Sequence, residues 1–281
     1  MYRPCPDVFS WFCGLHLVIR RHQPSIFAMS SLYPDILFHF TSRDGLYAIL
    51  EHTFKISYAG ERIAGNRKST SFAVPMVSFC DLRLSELKDH MSKYGNYGIG
   101  LSKAWANKQG LNPVFYVNKH CPYTSNFIAA VERLHKQLDI IQDSAQYASV
   151  SAAYMDILNT YRYIKNYEGD LKRRSGATTR NYRFADEREW RYVPPLDATP
   201  FSFFPLDRIS TLEGKSEVNG RIADLRLEFD PEDIKYLIIE RDDERLSLIK
   251  HLEAVKGRFD DGTRRRLASR ILTSEQINTD V

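Results

Sequence analysis

Apolar and polar positions first fall into a strand rhythm at residues 36–40, ILFHF, where a histidine interrupts an otherwise apolar run. Thr41, Ser42 and Asp44 then form a helix start of the Ser/Thr-x-x-Asp/Glu kind, and Leu46, Ile49 and Leu50 make the apolar stripe of the helix that follows. Residues 54–58, FKISY, alternate as a strand does, whereas 59–71, AGERIAGNRKSTS, are polar and glycine-containing and read as a mobile loop. Residues 75–80, PMVSFC, predict another strand, followed by a helical LRLSELKDHMSKY.

Farther on, YGNYGIGLSKAWANKQG reads as a glycine-punctuated turn, a strand around Ile99 and a helix, and residues 113–117, PVFYV, as a further strand. Residues 124–168 form the longest helical stretch, with a break expected near 143–149. KRRSGATTRNYRF predicts a basic loop running into a strand, and EREWRYVP follows it. Two late strands, DLRLEF and KYLIIE, flank a DPEDI turn; a helix from Arg245 and a basic tail close the chain. The pattern is α+β: a short-stranded mixed or antiparallel sheet with a central helical insertion at about 124–168. It lacks the strict βαβ alternation and the G-x-G-x-x-G turn of a Rossmann domain, and it has no Walker A, G-x-S-x-G or H-E-x-x-H motif.

Residues 1–28 stand apart. Their apolar run, 8–19, is too short for a bilayer, and Arg20 and Arg21 follow it, where a secretory signal carries charge before. Met29-Ser-Ser is the expected start of translation, which makes 1–28 an atypical extension; the rival expectation is a membrane-skimming anchor. Residues 29–281 are expected to be one domain, cytoplasmic and without stable membrane association. Cys5, Cys13, Cys80 and Cys121 are scattered with no metal-ligand spacing, so neither a zinc site nor a disulfide framework is indicated. The formal charge of +4 permits a nucleic-acid partner without requiring one.

Four stretches could carry chemistry: His39-Phe-Thr41, Ser78-Phe79-Cys-Asp81, Tyr94-Gly-Asn-Tyr97, and Glu187-Arg-Glu189-Trp-Arg191. Each also has a plain structural reading. His39 would be a core histidine, Thr41 a helix cap, the tyrosines turn residues, and the last stretch a strand with outward cross-strand ion pairs.

Taken in order, a strand H-x-T, a Tyr/Gly-rich middle and a late E-x-E resemble the ADP-ribosyltransferase superfamily. LFHFTS, GLYAIL, PMVSFCDLRLSE, YGIGLSKAW, PVFYV and FADEREWRYVP are similar to the AbiGi family of abortive phage-infection proteins, from about residue 33 onward. H-F-T-S and E-x-E-W-R are also similar to relatives of the DNA-modifying toxin DarT. The likeness implies a split, ADP-ribosyltransferase-like sheet with NAD as substrate and no metal. Its catalytic residues would be His39, Glu189 and Glu187, with Thr41, Ser78, Phe79, Tyr58, Tyr94 and Tyr97 around NAD. On a strand, Glu187 and Glu189 would share a face, and mutual repulsion would raise one pKa. His39 would donate to a ribose hydroxyl, and Arg173, Arg174 and Arg180 would hold a DNA or RNA acceptor. AbiGi resemblance also implies a second role, an antitoxin-like protein bound to a cognate toxin. A metal-dependent nuclease built on Glu187, Glu189 and Asp81 is the third candidate.

Overall fold

The computed structural model describes residues 34–172, 176–199, 202–255 and 259–280, all within one compact unit, residues 33–281. The expected extension, 1–28, and the pair Arg173 and Arg174 lie outside the described residues.

Strand β1 (Ile36–Thr41) leads into helix α1 (Arg43–His52), capped by Ser42, whose hydroxyl accepts from the Gly45 N–H; the cap therefore falls one residue after Thr41. Next come β2 (Phe54–Lys55), β3 (Ser57–Ala64) and β4 (Ser69–Cys80). Where a loop was expected at 59–71, β3 and β4 form a hairpin paired from Ser57↔Met76 to Ala64↔Ser69. One face of this ribbon buries Ile63, Phe72 and Val74 with Glu61 among them, and Arg62, Ser69 and Ser71 are exposed on the other.

The chain continues through α2 (Leu87–Tyr94), β5 (Tyr97–Ser102), α3 (Lys103–Lys108), β6 (Asn112–Pro113) and β7 (Phe115–Val117). The helical insertion is α4 (Pro122–Leu138) and α5 (Ser144–Tyr161); its break lies at 139–143, just before the expected one. The helix ends at Tyr161 and not at 168, because residues 164–166 form β8 (Ile164–Asn166), parallel to β7. The strand expected at the end of the basic stretch is β10 (Thr178–Arg183), which pairs antiparallel with β9 (Glu168–Lys172). Then follow β11 (Glu189–Tyr192), β12 (Phe204–Pro205), α6 (Leu212–Gly220), β13 (Arg226–Leu227) and β14 (Ile234–Ile239). Helices α7 (Arg245–Ala254) and α8 (Asp261–Ala268), strand β15 (Ile271–Thr273) and helix α9 (Ser274–Asp280) complete the unit.

The main sheet runs β15-β14-β5-β1-β4-β11-β6, with β3 and β12 paired to the first half of β4. It is mixed: β14 and β15 are parallel and the other pairs antiparallel. One face buries Leu37, Phe54, Phe79, Ile99 and Trp105; the other buries Phe38, Phe40, Leu87, Met91 and Ile238. Each such side chain contributes about 1.5–3 kcal/mol on leaving water. No helix among the described residues is long and apolar enough to cross a membrane.

The middle of the sheet is only partly zipped. β1 pairs with β5 at six positions, but with β4 at the single pair Phe38↔Cys80. Continuing that register would set Ser78 opposite Phe40, yet the strands diverge there. Gly95 fixes the approach of β5, since it takes φ 121° at the end of α2 and a Cβ there would lie 2.5 Å from the Thr41 carbonyl oxygen. Gly95→Ala should therefore cost about 1–3 kcal/mol, read as a lower urea midpoint with an unchanged slope; unchanged stability would mean that Gly95 is not constrained this way.

Candidate functional site

His39 occupies the gap between β1 and β4. Its Nδ1 lies 2.8 Å from the Ser78 carbonyl oxygen, which has no proton to give, so Nδ1 carries the hydrogen and Nε2 is an acceptor. Nε2 has no hydrogen-bond partner among the described residues. His39 is thus set to accept from a ligand hydroxyl, the reverse of the donor role expected for it. Burial lowers its pKa, partly opposed by the bond to Ser78, so the ring is neutral at physiological pH; the Phe54 and Phe79 rings pack against it.

Beside it lies a cavity of about 210 Å³ lined by His39, Ser78, Phe79, Tyr94, Glu187 and Glu189, together with Glu61, His90 and Lys165. Six residues singled out in the sequence thus meet in one place. Tyr58, Thr41, Tyr97 and Arg180 are not among its walls. Tyr58 is buried against Phe204, Thr41 ends β1 with its side chain against Gly45, and Tyr97 bonds Glu240 and Glu244. Arg180 is exposed on the β9–β10 hairpin.

The two acids converge, but not as strand neighbours. Glu187 ends a 3-10 turn, Phe184–Glu187, and Arg188 follows in the left-handed region at φ 44°, so β11 starts only at Glu189. Lys165 draws them together, with Nζ 2.6 Å from Glu189 Oε2 and 3.3 Å from Glu187 Oε2. Its strand β8 is held to β3 by Asn166, which accepts from the Ala64 N–H at 2.7 Å and donates to the Ala64 carbonyl at 2.8 Å. Arg191, fully buried, donates from Nε to Glu189 Oε1 at 2.6 Å and from Nη2 to Glu189 Oε2 at 3.2 Å and Glu61 at 2.5 Å. Ser78 Oγ adds a 2.7 Å bond to Glu189 Oε1. Four donated hydrogen bonds therefore fill the four acceptor sites of a carboxylate that is 5% exposed. Tyr94 donates to Glu187 at 2.5 Å, and Tyr116 accepts from the Glu189 N–H.

The electrostatics follow. Burial alone would raise the Glu189 pKa, but the Arg191 guanidinium and the Lys165 ammonium outweigh it and hold the carboxyl well below its usual range. That corrects the expectation that the pair would push one acid upward. The acid burial does raise is Glu61, whose one direct partner among the described residues is Arg191. Lys165 is desolvated too, yet the three carboxylates keep it charged. His90, in the wall, is lowered to about 3, first by burial and then by Lys93 and Lys165.

Sequence reasoning missed Lys165 and Glu61 and treated Arg191 as an outward ion-pair member. The pairs exist, turned inward. Asp81 is not in the wall: it pairs with Lys103 at 2.7 Å, so the nuclease arrangement lacks its third acid.

A family model described as "Putative abortive phage resistance protein AbiGi, antitoxin" matches residues 52–240. The chain belongs to the AbiGi family. Over 226 residues it is 27% identical to "Abortive phage resistance protein AbiGi" of Lactococcus lactis subsp. cremoris, covering 74% of this chain and 88% of that relative. No solved structure matches it.

Removing one partner of a buried ion cluster leaves the others uncompensated, so Glu189→Gln should lower unfolding free energy by about 3–5 kcal/mol, measured by urea denaturation; a loss under 1 kcal/mol would contradict the cluster. A second expectation concerns acid. His39 and His90 resist protonation when folded but accept it when unfolded, so stability falls as pH drops below about 6.5. The depressed Glu189 adds a further loss below its unfolded pKa of about 4.3. His90→Gln should flatten the slope between pH 6.5 and 4; an unaltered slope would show that His90 titrates normally.

Proposed function

We propose that the chain works in abortive phage defence as the antitoxin-type protein partner of a cognate toxin, in the bacterial cytoplasm. Membership of a family described as antitoxin supports this reading. The observation that carries it is the condition of Glu189. An acid acting on a ribose needs a free oxygen, and here Lys165, Arg191 and Ser78 take all the acceptor sites. The acid of the E-x-E stretch then serves as a scaffold element, and the fold presents surfaces to a protein instead of a reaction centre.

A second reading is favoured by one specific observation. His39, Ser78, Phe79, Tyr94, Glu187 and Glu189 line a single cavity at the β1–β4 gap. On that reading the chain transfers ADP-ribose from NAD to a nucleic acid. Glu187, held by Tyr94, Tyr182 and Lys165 and not by four donors as Glu189 is, would be the acid nearest to release, and exposed Arg180 would meet the acceptor.

Co-expression with the product of the neighbouring reading frame separates the two. The antitoxin reading predicts growth rescue and a co-purifying complex, both kept in Glu187→Gln, with no nicotinamide released from labelled NAD. Nicotinamide release that disappears in Glu187→Gln, or absence of any complex, would overturn it.

A further inference from the structure

The inner cavity has an uneven charge count. Among the described residues, the wall of the inner cavity sets Glu61, Glu187 and Glu189 against Lys165, with the Arg191 guanidinium behind them, and the histidines of the wall are neutral. Three carboxylates against two cations leave the cluster one positive charge short, which is costly away from water. The hydrogen-bond count leans the same way. The protons of Ser78 Oγ, Tyr94 and His39 Nδ1 are all given to protein acceptors, whereas His39 Nε2 remains an unpartnered acceptor on a ring that lines the cavity. Of the acids, Glu61 is the least compensated, and burial raises its pKa accordingly.

A second cavity, about 420 Å³, shares the Glu187 and His90 walls. It adds Glu86, Asp89 and Asp186 against Lys93 and Arg188, so it too is net acidic, on a chain whose overall charge is +4. Such a paired acidic recess concentrates cations from solution. Phe38, Phe40, Met76 and Phe79 give the inner cavity apolar walls that suit the stem of an aliphatic cation and exclude competing water.

We propose that the inner cavity is a receptor site for a guanidinium or ammonium group: a single positive charge, rich in N–H donors, bounded by His39, Glu61 and Glu187. The bound group would supply the missing charge and donate to His39 Nε2 and to a Glu61 oxygen. The proposal rests on the cavity's charges and acceptors and holds whether or not the chain binds a toxin.

Calorimetric titration of the full chain at low salt with arginine amide and with its neutral isostere citrulline amide tests it. Arginine amide should bind saturably and at least about tenfold tighter, the worth of one charge-assisted hydrogen bond. Glu61→Gln and, separately, Glu187→Gln should each abolish that preference, with folding checked by thermal unfolding; should either variant not fold, the wild-type ratio alone decides. A Gly-Gly-Arg-Gly-Gly peptide binding more tightly than arginine amide supports a protein side chain as the natural source, and weaker binding supports a free small cation. Equal binding of the two amides, no saturable binding, or an undiminished preference in folded Glu61→Gln would overturn the proposal.

Discussion

The Glu189 carboxylate, held by Lys165, Arg191 and Ser78, is the interaction on which the centre of this fold depends. Through it β11 is fastened to β4, to the return strand β8 of the helical insertion and, by way of Arg191 and Glu61, to the β3–β4 hairpin. Charges buried this deeply repay their desolvation only when their geometry and hydrogen bonding are nearly complete, and for Glu189 they are complete. The cluster also explains why β1 and β4 can separate after one register pair without the sheet coming apart. The ladder that β1 does not supply is replaced by side chains, His39 on one bank and the ion cluster on the other.

Much of the fold was legible because it rests on periodicity. The stripe Leu46, Ile49 and Leu50 announces α1, and the strands around Ile99 and at KYLIIE read directly from their apolar runs. The β3–β4 hairpin did not, because polar or glycine positions fall on both of its faces, Gly60 and Arg62 on one and Glu61 on the other, so alternation was masked as loop composition. The convergence of His39 with Glu187 and Glu189 was legible as motif order. Its chemistry was not: the lysine that organises those acids sits in β8, where nothing local distinguishes Lys165 from a surface residue on a short strand. Long-range ion pairing leaves no period in the sequence. The same reason turned the EREWR stretch inside out, since a Glu-x-Arg alternation fits an outward ion-paired face or a buried one equally well.

The family relationship and the geometry bear on function at different levels. Membership of the AbiGi family places the chain among abortive phage-resistance proteins. Geometry adds that the most prominent acid is engaged in holding strands together, while the adjoining space is apolar-walled, acceptor-rich and short of positive charge. A scaffold of this kind separates the group that secures the sheet from the groups left to meet a ligand or partner. Glu189 belongs to the first set; His39, Glu61 and Glu187 border the second.

That division turns on whether Glu189 is permanently ionised and saturated. Carbon-13 NMR of its side-chain carboxyl across an acid titration measures this directly. The structure predicts no protonation step for Glu189 before the protein unfolds. A step in the ordinary glutamate range, near about 4.3, in a still-folded chain would contradict the account.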